Sequence, residues 1–139
     1  MMQIGVEVFG LPQPQGSVRA FLPKGGNRPV LTCDNAKVKP WRQDVAALAA
    51  VAMHEKGQKI LSRPRAVQVK VTFYFQKPKS SGKNIQFKTT KPDLDKLLRA
   101  LLDALTGIAF EDDAQVVACH VYKAFGVPAR TEILVTELT

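Results

Sequence analysis

Four aspartates frame one stretch of the chain. Asp93 and Asp95 stand one residue apart, and Asp112 and Asp113 are adjacent, within the run DLDKLLRALLDALTGIAFEDDAQ from Asp93 to Gln115. Carboxylates so placed have two uses. At a helix start they meet exposed backbone N–H groups and the positive end of the helix dipole, so they serve as caps. Gathered from two such pairs, three carboxylates suit a hard divalent cation, which takes oxygen ligands in octahedral geometry and keeps several waters. A lone D-x-D at a helix start fits the cap reading; the second pair shifts the balance toward a metal. Six of the chain's twelve acids lie in this stretch, although the net charge is +8.

The elements that must position these acids can be read from periodicity. Leu94, Leu97, Leu98, Leu101, Leu102 and Leu105 recur at three- and four-residue steps, which predicts a helix with one apolar face. Pro92 before it and Gly107 after it are start and stop signals. Asp95, Arg99 and Asp103 share a second, polar face. The segment E-D-D-A-Q-V leads from a loop into an expected strand over Gln115–Lys123. A helix of about 12 residues spans roughly 18 Å. Thr106–Glu111 is expected to carry the chain back beside the helix start, so that Asp93, Asp95 and Asp113 converge.

In chain order, Gln3–Phe9 alternates as a strand does. Gly10–Ser17 is too rich in Gly and Pro for regular structure. Val18–Leu22 and Pro29–Thr32 read as short strands around a basic tip, Pro23–Arg28. A helix is expected from Lys39 to about Lys56, with Pro40 in its first turn and Val45, Leu48, Ala49 and Ala52 packed on a sheet. Trp41 at its head reads as packing rather than as a base-stacking platform. The run AVQVKVTFYF within Arg63–Gln76 is the clearest strand. Lys77–Lys91 carries five lysines and no apolar period, as a functional loop does. Its Phe87 either meets a base or anchors the loop. Gln115–Lys123 and Arg130–Leu138 close the chain as two strands. The order β-β-β-α-β-α-β-β predicts one domain over residues 1–139 in the α+β class. Its architecture would be an α/β sandwich of one mixed β-sheet and two main helices, in which the strand after the first helix pairs parallel to an earlier one.

Composition narrows the classes of function. No apolar run reaches the roughly 20 residues of a membrane span, and MMQIGVEVFG lacks the pattern of a secretion signal. Cys33 and Cys119 fit neither a metal spacing nor a disulfide framework, and His54 and His120 are isolated. These features imply a cytoplasmic protein with no small-molecule cofactor. The sequence pI is about 9.7, and between Glu55 and Asp93 ten Lys or Arg residues occur without one acid. A polyanionic partner follows. Lys83, Lys88 and Lys91 lie just before Asp93, and Arg19, Lys24 and Arg28 lie in or beside the early tip. These six are the expected contacts to that polyanion, which the resemblance described next implies is DNA.

The segment KPDLDKLLRALLDALTGIAFEDDAQVV resembles the signature of RusA-type Holliday junction resolvases, or crossover junction endodeoxyribonucleases. That signature reads D-x-D-N-hydrophobic, then a lysine, then D-A-L, then D-D-x-Q-V. The opening GLPQPQGSVRAF and the K-P-W-R helix start resemble phage-type members, so the likeness spans nearly the whole chain. It implies that Asp93, Asp95 and Asp113 are catalytic aspartates that bind Mg²⁺ or Mn²⁺, with Asp112 as a supporting neighbour. It also implies a homodimer that nicks opposing strands of a four-way junction and leaves 5′-phosphate and 3′-hydroxyl ends. Lys96 stands where the family has Asn, and Arg99 where it has Lys. Arg cannot give up a proton, but it can hold a phosphate, so Arg99 is expected to serve in catalysis as an electrostatic group. A carboxylate-held cation lowers the pKa of a bound water and stabilises oxyanions, which suits phosphodiester hydrolysis. The alternatives are a non-catalytic nucleic-acid-binding module whose acids are only caps, and a nuclease of the same chemistry acting on other branched or flap DNA.

Overall fold

Period-two alternation writes most of the sheet. The computed structural model describes residues 1–16, 18–33 and 35–139, with the backbone alone for 18–21 and 30–33. In chain order the elements are β1 (Gln3–Phe9), β2 (Val18–Phe21), β3 (Val30–Cys33), α1 (Val38–Glu55), β4 (Ala66–Phe75), α2 (Leu94–Leu105), a 3₁₀ turn (Asp113–Gln115), β5 (Val116–Phe125) and β6 (Arg130–Leu138). The expected order and the α+β class hold. Four strands form one mixed sheet in the order β1-β6-β4-β5. β6 is antiparallel to both β1 and β4, and β5 is parallel to β4.

Two features depart from the sequence reading. β2 and β3 do not join the main sheet; they pair with each other as a separate antiparallel ribbon. They are four residues each, too short to add an edge with a buried face. The parallel partner of β4 is the later strand β5, not an earlier one. Parallel neighbours need a long crossover, and α2 with its flanking loops supplies it.

Both helices bury their apolar stripes on one face of this sheet. That face carries rows set by register: Ile4, Val135 and Val69; then Val6, Ile133 and Val71; then Val8, Thr131 and Phe73. All of these are buried. From α1 they meet Val38, Trp41, Val45, Ala49 and Met53, and from α2 Leu97, Ala100, Leu101, Ala104 and Leu105. Trp41 is packing: it is buried, with its ring 6.4 Å from that of Phe73. Leu48 and Leu94, expected on the apolar stripes, are instead exposed. Small alanines take the core-facing positions, so a helix needs fewer leucines inward than its composition suggests.

Candidate active site

The loop into α2 is fixed before any aspartate is reached. Lys123, at the β5 end of the Val8–Thr131–Phe73 row, donates from Nζ to the carbonyls of Thr90 and Pro92, 2.8 Å each. This ties the approach to Asp93 onto the end of β5. The basic loop is pinned as well. Phe87 pairs with Ala124 in an isolated bridge, Lys88 N donates to Lys123 O at 3.2 Å, and Phe125 N donates to Gln86 O at 2.9 Å. The side chain of Phe87 is exposed, so the residue anchors the loop through its backbone. Lys88 Nζ donates to Thr90 Oγ1 at 3.0 Å and lies 5.3 Å from the Phe75 ring centroid. Lys83 and Lys91 are exposed, as are Lys24 and Arg28 on the early tip, while the Arg19 side chain lies outside the described residues.

Asp93 occupies the N-cap position of α2 in extended conformation but makes no side-chain capping bond. Asp95, in the first turn, is exposed. Neither carboxylate has a hydrogen bond or ion pair among the described residues. The cap reading therefore fails for the first pair. Asp93 opens into a cleft of about 590 Å³ with Gln15, Phe75, Lys88, Lys91 and Lys96 on its walls. The early loop closes this cleft: Gln15 N donates to Lys96 O at 2.9 Å, and Gln15 Oε1 accepts from Arg42 Nη1 at 2.9 Å. Arg42 also stands 3.7 Å from Asp103. Arg99 is exposed and pairs with neither Asp95 nor Asp103 among the described residues.

The second pair splits its duties. Asp112 is the cap. Its Oδ1 accepts from Ala114 N at 2.9 Å, and its Oδ2 stands 2.7 Å from Arg63 Nη2. Gln115 completes a capping box by accepting from Asp112 N at 3.0 Å. The Ala114 N–H bond, aided by the Arg63 charge, holds the Asp112 carboxyl below its ordinary pKa. A lowered folded pKa contributes stability above the unfolded value, near 4, and loses it as pH falls through the folded value. Asp112→Asn is thus expected to flatten the loss of stability as pH falls below about 4 in urea unfolding. An unchanged slope would show that the cap does not act through its charge.

Asp113 is left exposed, in a separate depression of about 630 Å³ with Lys39, Arg42, Asp103 and Thr106. Here the structure corrects the expected convergence. Thr106–Glu111 does not return to the helix start. It stays at the far end of α2, where Leu61 N donates to Ala109 O and Glu111 N donates to Leu61 O, and where Phe110 and Leu61 are fully buried. Gly107, with φ of +84°, makes the turn. Because β5 runs parallel to β4, its beginning lies at the end of the sheet opposite Asp93. Among the described residues no three acids, histidines or cysteines stand close enough to hold an ion. Asp93, Asp95 and Asp113 of one chain do not fit a single metal.

The model of the endodeoxyribonuclease RusA family matches residues 12–136. The chain belongs to the RusA endodeoxyribonuclease family. The chain is also similar to two curated proteins. The uncharacterized protein YqaN of Bacillus subtilis is 32% identical over 140 residues, covering 95% of this chain and 94% of its own length. A protein of Lactococcus phage r1t named crossover junction endodeoxyribonuclease is 31% identical over 93 residues, covering 66% of this chain and 70% of its own. As a RusA-type endonuclease, the chain contains groups that the sequence reading did not assign. Lys123 fastens the loop ahead of Asp93, Arg42 links the early loop to α2, and Gln115 sets the Asp112–Asp113 corner. Only Gln115 had a sequence signal: D-x-x-Q has the spacing of a capping box.

Proposed function

We propose that this RusA-family chain is a structure-specific endodeoxyribonuclease that resolves four-way DNA junctions in the cytoplasm. It acts as a homodimer and nicks opposing strands symmetrically to leave 5′-phosphate and 3′-hydroxyl ends. Because one chain holds them at opposite ends of α2, Asp93 and Asp95 of one copy and Asp113 of the other are its ligands for Mg²⁺ or Mn²⁺, and Arg99 holds the scissile phosphate. The observation that carries this reading is the family match over residues 12–136, joined to two aspartates at the start of α2 that serve no structural bond. The lysines around the Asp93 cleft support it, since carboxylates alone repel a phosphate backbone. Arg99 lies one turn beyond Asp95 on the exposed side of α2. The direct test is incubation with a synthetic four-way junction and Mg²⁺, with the nicks mapped on all strands. Paired nicks at the branch are expected. Cleavage confined to flaps would move the substrate, and binding without cleavage of any branched DNA would leave only a binding module.

The lysine contribution can be measured separately. Each phosphate contact on duplex DNA contributes about −0.9 to the slope of log affinity against log salt. Changing Lys83, Lys88 and Lys91 together to Ala should weaken junction binding and make that slope shallower by roughly two to three units. The preferred nick position should not move, because phosphate contacts do not read bases. An unaltered slope, measured without metal, would transfer the DNA surface to Arg19, Lys24 and Arg28.

A further inference from the structure

We propose that an unpaired nucleobase of the bound DNA stacks on Phe87, in a depression on the helix-free face of the sheet, across the sheet's edge from the Asp93 cleft. This inference rests on the preceding reading that the chain acts on branched DNA.

The backbone fixes where the Phe87 ring points. Gln86–Lys88 runs along the end of β5: Phe125 N donates to Gln86 O, Lys88 N donates to Lys123 O, and Phe87 pairs antiparallel with Ala124. Directly opposed residues of such a pair place their side chains on the same face of a sheet. Ala124 stands opposite Tyr74, Tyr74 opposite Arg130, and Arg130 opposite Phe9. The row one residue along, Val8–Thr131–Phe73, is buried under the helices, so this row faces away from them. Phe87 is thereby carried onto the face that neither helix covers.

Anchoring the loop explains the backbone of Phe87 but not its side chain. The ring is 53% exposed, and Ile85 (49%) and Val127 (77%) flank the same depression of about 510 Å³. Tyr74 in its wall is held from two sides. The Arg130 guanidinium lies 4.0 Å from the Tyr74 ring centroid and donates to Pro128 O at 3.0 Å. Gly126 closes against the ring: a Cβ there would stand 2.6 Å from Tyr74 Cδ1, so a larger residue would displace it.

The chemistry of the depression selects its occupant. Its walls are apolar and aromatic, with Lys77 among them and no acid. Lys79 and Lys83, on the same loop, are exposed. Glu132, in the neighbouring row, is taken up by Arg130 at 3.9 Å. A flat apolar ring joined to a polyanionic backbone is an unpaired nucleotide, and aromatic side chains beside basic groups are the usual platform for one. A paired base offers only its edges, because its faces are covered by its stacked neighbours.

The position of the depression supplies the strand. Lys88, next to Phe87, turns to the other face, with Nζ 5.3 Å from the Phe75 ring, and both line the Asp93 cleft. Tyr74 and Phe87 line the depression. Adjacent residues of one strand and one loop thus wall two sites on opposite faces of the same sheet end. A strand whose phosphate lies near Asp93 can carry an unpaired base round this edge onto Phe87. A duplex makes that turn only by unstacking, and branched DNA offers unpaired bases where its arms meet.

The test compares three probes without metal, by fluorescence anisotropy: oligo(dT), an abasic sugar-phosphate strand of the same length, and a paired duplex. Phe87→Ala should weaken oligo(dT) binding about 5-fold or more, the loss expected when one base ceases to stack. Binding of the duplex and of the abasic strand should stay as in the wild type, and so should thermal unfolding. Phe87→Trp should restore oligo(dT) binding, and its added fluorescence should be quenched by oligo(dT) but not by the abasic strand. Equal wild-type affinity for oligo(dT) and the abasic strand, or an equal loss on all three probes in Phe87→Ala, would overturn the site, since the loop would then act through charge alone. Sedimentation tests the competing occupant: if Phe87→Ala breaks the protein into smaller species, a second copy covers the ring and the proposal falls. Junction cleavage keeps the two readings apart. A wild type that cleaves junctions without base-dependent binding retains the nuclease reading and loses the stacking site. A wild type that cleaves no branched DNA loses the nuclease reading, while base-dependent binding through Phe87 would still establish the site.

Discussion

Asp95→Asn is expected to reduce junction cleavage more than about 100-fold, beyond the 10- to 100-fold losses typical of groups one step removed from a metal. The fold should barely respond. Asp95 is exposed and forms no bond among the described residues, so its only structural contribution is the favourable field of a first-turn acid. That field is worth about 0.3–1 kcal/mol at low ionic strength. Binding of the junction should persist or tighten, because a charge that repels phosphate is removed while the shape is kept. Cleavage at the wild-type rate in Mg²⁺ would remove Asp95 from the site.

Gln115→Ala should do the reverse and act first on stability. The Gln115 side chain is buried, with Nε2 donating to the carbonyls of Leu61 and Arg65 at 3.1 Å each and Oε1 accepting from Asp112 N at 3.0 Å. Truncation removes the side-chain partner of Arg65 O and Asp112 N, while Leu61 O keeps its bond from Glu111 N. At about 1–3 kcal/mol for a buried unsatisfied group, a net loss of roughly 2–4 kcal/mol is expected. For a domain of this size that lowers the midpoint of thermal unfolding by on the order of 10 °C. Cleavage should fall as well, because the same bonds hold the corner that presents Asp113. A variant that melts with the wild type would show that water replaces all three bonds. The two substitutions together separate a group kept for chemistry from a group kept for position.

Much of this was legible because it is local. Alternation at Gln3–Phe9 and Ala66–Phe75 matches β1 and β4 at their observed bounds, and the leucine steps between Pro92 and Gly107 match α2. The acid pairs were legible as residue types. What the chain did with them was not. A loop of six residues, Thr106–Glu111, reads the same whether it doubles back or crosses to another element. The burial of Phe110 against Leu61, nearly fifty positions earlier, settles the direction. Which aspartate serves as a cap was not legible for the same reason. Asp93 has the right position but makes no capping bond, whereas Asp112 is held in place by Arg63 and Gln115. Family resemblance located the aspartates without their geometry, since a motif carries residue spacing and not the path between residues.

The central place of β6 has a consequence for synthesis. β1 lies next to no main-sheet strand but β6, and it pairs with it from Gln3 opposite Thr136 to Phe9 opposite Arg130; β4 takes the other edge of the same strand. A nascent chain therefore emerges from the ribosome with β1 unmatched and must wait for Arg130–Leu138 before that strand is sealed. Until then β1 presents Ile4, Val6 and Val8 with no sheet behind them. A ribosome stalled a few codons before Arg130 should hold a chain whose β1 segment is open to protease.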